Sequence, residues 1–435
     1  MTELKAYLLC RVADQNRTYS SWLNHSPLPT VVVDEYLPDW NVPDDAGILI
    51  THLHYRWEEL TTLRRIHQQN RVPVLILSDG ILEYRNTWLH PELVEGSLFQ
   101  PVFGHKIGCL GRAPARILES WGNVGKCEIV GLPRLDSALA IPAPPIRTTG
   151  PFRLLVATAT TPAFDDQQRE VVIDSLRQLQ SKLDHLPTIQ GRPVEVHWRL
   201  SAGLEQSLGF EEVDSENRAP LSELIDQVDA VITTPSTIYL ESVLRNRPTA
   251  LLDFHNCPQY ISAAWVISAE RHLDAVLSEL ANPPAPKMLF QMTMLQDQLE
   301  CQTPAIPRLV RLIESMVEER QRCLRTLESL NFPSRILRDP LHGFAEVPME
   351  LELAKLYPNN PAFEHQDLQR LQIELAAAVK RLESLPAELA EKNRYLTQLN
   401  RAADRSRVRI EEMHNRVVAL RKRFGVESES ESETD

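Results

Sequence analysis

VDAVITTPSTIYLESVLRNRPTALLDF, residues 228–254, reads as strand, tight turn, helix, strand. Val231 and Ile232 carry the first apolar run, which Thr233, Thr234 and Pro235 break. Ser236 and Thr237 stand where a helix begins, Glu241, Leu244 and Arg245 lie on its next turns, and Thr249–Phe254 form the second apolar run. A helix N-terminus presents unpaired N–H groups and a partial positive charge, and so attracts phosphate. Hydroxyls at that place either cap the helix or bind a phosphate oxygen. In a parallel sheet such a turn faces the crevice beyond the carboxyl ends of the strands, where ligands bind. Ser236 and Thr237 are therefore candidate phosphate ligands, with simple capping as the alternative. Glu241, one turn on, belongs either to the same site or to a solvated helix face.

Outward from this unit the first third of the chain alternates strands and helices. Strands are predicted over Ala6–Val12, Thr30–Val33, Gly47–Thr51, Val74–Leu77, Lys106–Leu110 and Cys127–Val130, and helices over Trp57–Gln69 and Ala113–Trp121. Such alternation implies a parallel sheet with right-handed crossovers. The stretch 141–151, IPAPPIRTTGP, reads as a stiff Pro-rich hinge. A second alternating domain follows, with strands at Phe152–Thr158 and Val194–Leu200, helices at Asp166–His185 and Leu221–Gln227, and a mostly helical stretch from Leu273 to Leu330. Leu368, Leu371, Leu375, Ala378, Leu382, Leu385, Leu389, Leu396, Leu399, Ala403, Ile410, Met413, Val417, Leu420 and Phe424 then keep one alternating 3–4 spacing, interrupted by Lys392 and Ser406. That is a heptad signal, in which Pro386 either starts a second helix or kinks one long one. The expected division is 1–140, an N-terminal Rossmann-like acceptor domain; 141–151, the hinge; 152–335, a Rossmann-like nucleotide-donor domain with closing helices; 336–364, a linker; 365–425, a coiled coil; and 426–435, a disordered acidic tail.

The totals exclude several classes. A formal net charge of −13 argues against a general nucleic-acid binder. No apolar run approaches the roughly 18–20 residues that span a bilayer, and the N-terminus lacks the features of a signal peptide. The six cysteines form no metal spacing and no CxxC pair, which suits reduced thiols and a cytoplasmic chain. The expected location is the cytoplasm, free or peripheral to the inner face of the membrane.

Three stretches carry a family resemblance. GLPRLD (Gly131–Asp136) and LIDQVDAVITTPSTIYLESVLRNRP (Leu224–Pro248) resemble the hinge segment and the nucleotide-side motif of GT-B glycosyltransferases, namely the bacterial surface-carbohydrate, CDP-glycerol-type and sialyltransferase-like transferases. SDGILEYRN (Ser78–Asn86) resembles a turn at a strand end in their acceptor domain. The resemblance covers roughly residues 1–330. Those families carry a His-Pro pair against the nucleotide; the strand end here reads HWRL, with His197 followed by Trp198, so the nucleotide is not named.

The resemblance implies a metal-independent, inverting transferase that needs no cofactor. A nucleotide-activated sugar is its co-substrate, and a sugar or polyol phosphate passes to a cell-surface glycan. A base must take the acceptor's proton and positive groups must meet the leaving phosphate. Asp79, after the strand VLIL and before Gly80, is the first candidate base; His54, His52 and Asp14 follow other strands and are alternatives, each also readable as structural. On the donor side Ser236 and Thr237 would hold phosphate and Glu241 the ribose, while His197, Arg199 and Arg112 are candidate nucleotide contacts. Arg134 is expected to order the hinge through Asp136. The heptads imply a homo-oligomer or a coiled-coil partner. Two rival readings stay open: a nucleotide-sugar epimerase on the same fold, and a non-catalytic scaffold acting through its coiled coil.

Overall fold

A computed structural model describes residues 3–34, 40–93, 98–100, 102–210, 220–338 and 361–423. The chain forms two compact units, Met1–Leu356 and Tyr357–Asp435. The first unit holds two sheets. One contains β1 (Lys5–Leu9), β2 (Thr30–Val33), β3 (Ala46–Thr51), β4 (Val74–Leu77), β5 (Lys106–Cys109) and β6 (Cys127–Ile129), in the order β2-β1-β3-β4-β5-β6. Every pairing is parallel. The other contains β7 (Phe152–Ala157), β8 (Thr188–Ile189), β9 (Arg192–Arg199), β10 (Ala230–Thr233), β11 (Thr249–Leu252) and β12 (Trp265–Ile267), in the order β12-β11-β10-β7-β9-β8. Its strands are parallel except for the β8–β9 hairpin at the edge. The central strands, such as VLIL in β4 and AVIT in β10, are buried at every residue, as helices on both faces require.

The helices are α1 (Val12–Asp14), α2 (Ser20–Leu23), α3 (Trp57–Gln69), α4 (Tyr84–Trp88), α5 (Arg112–Ser120), α6 (Asp136–Leu139), α7 (Asp166–Asp184), α8 (Leu204–Ser207), α9 (Leu221–Gln227), α10 (Ile238–Leu244), α11 (Leu273–Ala281), α12 (Ala285–Gln298), α13 (Ala305–Thr326) and α14 (Pro361–Arg423). The expected first strand is shorter than Ala6–Val12: it stops at Leu9, and Val12 already opens a helix.

The helices expected to close the second domain divide between the two sheets. Leu273, Val276, Leu277 and Leu280 of α11, with Phe290 of α12, join the core of the second sheet. The helix α13 crosses back. Its Leu309, Leu312, Ile313, Met316 and Val317 fall at helical spacing and pack beneath Ala6, Leu8, Ile48 and Ile50 of the first sheet. Its N-terminal amides are capped from a distance, because the Asp136 carboxylate accepts from Ala305 N (2.7 Å) and Ile306 N (2.8 Å). Asp136 thus fixes where the returning helix starts, and the anionic side chain also suits a helix N-terminus electrostatically.

The second unit, among the described residues, is α14. It runs unbroken through Pro386, and Leu375, Leu382, Leu389, Leu396 and Leu399 are exposed along it. The acidic tail expected at 426–435, the last residues of the expected coiled coil (424 and 425) and the linker positions 339–360 lie outside the described residues.

Candidate functional site

Sheet order tells where each lobe can bind a ligand. In the first sheet the chain reverses its direction of growth between β1 and β3, and in the second between β7 and β10. Crevices open at the carboxyl ends beside such switch points. Asp14 follows β1, His52 and His54 follow β3, and Asp79 follows β4, so the candidate bases gather at the first switch point. Ser236 and Thr237 follow β10, and Thr158 follows β7, at the second.

The first cluster is tightly arranged. His52 Nδ1 lies 2.7 Å from the Tyr19 hydroxyl, and its Nε2 is 3.8 Å from Asp14 Oδ2. His54 is buried, its ring 5.2 Å from that of Phe99, and its Nδ1 meets no hydrogen-bond partner among the described residues. Burial pushes the His54 imidazolium down to about 4, helped by His52 and opposed by the Asp79 carboxylate. His54 is therefore neutral near pH 7. Asp79 is half-buried. Below it lies a small cavity lined by Thr18, Trp22, Leu77, Ser78 and Arg134 among others, and buried Thr18 Oγ1 and Trp22 Nε1 have no hydrogen-bond partner among the described residues.

The second cluster sits opposite. The Thr237 side chain does not cap α10; instead a Cβ added at Gly80 would come within 2.8 Å of Thr237 Oγ1. The turn after Asp79 thus rests directly on the start of α10, and only a glycine leaves room for that approach. Ser236 is buried, its Oγ 3.1 Å from Thr233 Oγ1. Thr234 Oγ1 accepts from Ala159 N (2.9 Å) and ties the loop after β10 to the loop after β7. Among the described residues no backbone acceptor meets the amides of Ser236 and Thr237.

Glu241, expected at the ribose, is engaged by Arg134 Nη2 at 3.1 Å, while Arg134 Nη1 donates to the carbonyl of Asp79 at 2.9 Å. This corrects the expectation that Arg134 acts through Asp136: Arg134 bridges the turn that carries the candidate base Asp79 in one lobe to α10 of the other, and Asp136 caps α13. Arg112 opens α5 at the seam with the end of α12, where Glu300 N donates to Leu110 O at 2.7 Å. A Cβ at Gly111 would lie 2.5 Å from the Gln298 backbone. His197 is exposed on β9, on the face opposite Val194, Val196 and Trp198, which pack on the core. Arg199 ends that strand, and its carbonyl accepts from Thr158 N at 3.1 Å. The structure therefore brings Asp79, Thr237 and Glu241 to one seam, with His54 near Asp79, and places Arg112 at the seam of α5 and α12 and His197 on an exposed face of β9.

Sequence reasoning missed a second part of the seam. Arg85, buried at 3% exposure, donates to Glu83 Oε1 (2.7 Å) within its own lobe and to Pro162 O (3.1 Å) in the other. Its Nη1 also lies 3.2 Å from His255 Nδ1, and His255 Nε2 lies 3.2 Å from Gln168 O. A carbonyl only accepts, so the His255 proton sits on Nε2 and Nδ1 accepts from Arg85. Trp88 Nε1 donates to the Tyr260 hydroxyl at 2.6 Å. The only hint in the sequence was Arg85 within SDGILEYRN, since its partners lie 77 and 170 residues away. Together these contacts tie the two lobes to each other.

A pH prediction arises here. His54 (about 4) and His105 (pushed to about 3 by burial, then by His67 and Lys126) both titrate below the ordinary 6.5. His105 Nδ1 accepts from Val74 N at 3.0 Å, so protonation would oppose that N–H. Above pH 6.5 both rings are neutral folded and unfolded. As pH falls, the unfolded chain takes the protons first. Stability should fall from about pH 6.5 down through these values, each ring adding up to about 1.4 kcal/mol per pH unit. Denaturant unfolding between pH 7.5 and 5 should show this slope, and His105→Gln should flatten it by one proton's share; an unchanged slope would contradict the assignment.

No protein-family model and no curated protein sequence matches the chain. Solved structures do. The S. aureus MnaA–UDP co-structure aligns at TM-score 0.50 and 11% identity, over 73% of this chain and 97% of that one. A putative UDP-N-acetylglucosamine 2-epimerase from Listeria monocytogenes gives 0.49 and 11%, over 73% and 98%. The wall teichoic acid polymerase TagF gives 0.45 and 12%, over 73% and 90%. The likeness to the first of these and the two parallel-rich sheets show a GT-B-like fold for the two-sheet body, as the hinge and nucleotide-side stretches led one to expect. Among the described residues no helix is long and apolar enough to cross a membrane.

Proposed function

We propose that this chain is a GT-B-type nucleotide-sugar enzyme, and that it acts as a glycosyltransferase moving a sugar or polyol phosphate from a nucleotide-activated donor to a cell-surface glycan. The observation that carries the reading is the direct opposition of the two switch points, Asp79–Gly80 on one side and Ser236–Thr237 on the other. A donor phosphate would sit on the backbone amides and the Ser236 and Thr237 hydroxyls at the start of α10. The acceptor hydroxyl would lie against the Asp79 carboxylate, which takes its proton. Donor access requires the lobes to part along the Arg85–His255 and Arg134–Glu241 contacts, and reclosure would exclude water.

One feature favours a second reading, the non-catalytic scaffold: Thr237 is covered by Gly80 and Glu241 is held by Arg134. A panel of nucleotides and nucleotide sugars in a thermal-shift assay separates the two. At a concentration 100 times Kd a true ligand stabilises by about 2.7 kcal/mol, a shift of several degrees, and Ser236→Ala should erase it. If every nucleotide leaves the melting temperature unmoved, the scaffold reading stands. If a bound donor is isomerised with no acceptor present, the enzyme is an epimerase.

A further inference from the structure

We infer that α14 is one half of an antiparallel two-stranded coiled coil, and that its occupant is a second copy of this chain. The heptad fixes the seam. Leu368, Leu375, Leu382, Leu389, Leu396, Ala403, Ile410 and Val417 are a positions; Leu371, Ala378, Leu385, Lys392, Leu399, Ser406, Met413 and Leu420 are d positions. Where the side chains are described, these apolar positions are exposed along the whole helix, from Leu375 (64%) to Ile410 and Met413 (66% each). A heptad seam of this length is buried by another helix.

The residues that break the seam choose the orientation. In a parallel, in-register pair each d residue meets its own copy. Lys392 would face Lys392 of the partner subunit, which sets two ammonium groups together in an apolar layer. Ala378, Ala403 and Ser406 would likewise face their own copies and leave under-filled layers. The flanking g and e positions would add no opposite charges: Glu374 would meet Val379 of the partner subunit, Arg381 would meet Pro386 of the partner subunit, and Arg416 would meet Arg421 of the partner subunit.

Antiparallel pairing with Leu368 opposite Leu420 of the partner subunit changes every one of these layers. Ala378 meets Ile410 of the partner subunit, Leu385 meets Ala403 of the partner subunit, and Leu382 meets Ser406 of the partner subunit, so small side chains fall against large ones. Lys392 meets Leu396 of the partner subunit, beside which its stem can lie while the ammonium reaches solvent. The charges agree as well. Acidic Asp367 and Glu374 occupy g positions in the first heptads and Arg416 and Arg423 in the last, and in this register they pair across the seam. Arg381 opposite Arg409 of the partner subunit is the one unfavourable g pair.

The test uses the full chain. Sedimentation equilibrium at about 10 μM should give a dimer. A spin label at exposed Ala376 (Ala376→Cys, with Cys257→Ser and Cys301→Ser to leave one reactive thiol) should report about 54 Å between copies, from the axial offset at 1.5 Å per residue. A parallel pair would give about 20 Å, the width of two helices with their labels. A monomer, a trimer or tetramer, or the short distance would each overturn the proposal. Thermal unfolding of the labelled chain, with its main transition unchanged, shows that the substitutions leave the globular unit intact.

Discussion

Lys106→Met should lower the unfolding free energy by about 3–5 kcal/mol, the usual cost of leaving one member of a buried ion pair without the other. Lys106 and Glu128 are both fully buried, with Nζ 2.7 Å from Oε1. The pair also anchors the chain after α13. Nζ donates to Pro333 O (2.6 Å) and Gly125 O (2.9 Å) and lies 3.3 Å from Ser334 O. The Glu128 carboxylate accepts from Ile336 N (2.8 Å) and Leu337 N (2.9 Å). Methionine fills most of the lysine's volume, so the expected loss is electrostatic, not a cavity. The double variant Lys106→Met/Glu128→Leu should recover only part of it. An isolated buried pair is often replaced by apolar residues at little cost, but here two backbone amides would lose their acceptor. Denaturant unfolding of the two variants beside the parent reads this directly. A single variant within 1 kcal/mol of the parent, or full recovery in the double, would show that the segment 333–337 is held by something else.

What could be read from the sequence follows the range of the forces involved. Periodicity is local, so Trp57–Gln69 and Leu221–Gln227 were placed to the residue, and the apolar runs at Val74–Leu77 and at Val231 and Ile232 marked strands. The turn from Thr233 to Thr237 placed the second switch point for the same reason. Three readings needed the path of the chain through space. Arg134 and Asp136 stand two apart, which suggested a pair. The 3₁₀ turn Pro133–Leu135 instead sends one side chain across the seam and the other to α13. The apolar stripe of α13 shows that it packs, but not against which sheet. The pairing of Arg85 with His255 was out of reach, because nothing local marks a partner in the other lobe. The candidate base cluster was legible in part: each residue follows a strand, and parallel strands bring their carboxyl ends together. Tyr19, which braces His52, was not legible, because it lies in a π-turn, Gln15–Tyr19.

In the proposed transfer Asp79→Asn should reduce kcat by about 10²–10⁴-fold, with nucleotide affinity unchanged. The amide is nearly isosteric, and contacts that fix this turn use its backbone, among them the carbonyl that accepts from Arg134 and the neighbouring Gly80 that rests on Thr237. The donor side should therefore stay as it was while the proton acceptor is lost. His54 is the competitor, and the pH profile distinguishes them. An imidazole held at about 4 is neutral at pH 7 and so has a lone pair with which to accept a proton. If His54 were the base, Asp79→Asn would remove the carboxylate that holds its titration up. The acid limb of kcat/KM would move to lower pH, and the plateau would change little. If Asp79 is the base, the plateau itself falls and His54→Gln costs less than Asp79→Asn. Steady-state rates with the donor found in the nucleotide panel, from pH 4 to 8, give both quantities. A parental plateau in Asp79→Asn would remove Asp79 from the chemistry and leave the opposed switch points without their proton acceptor.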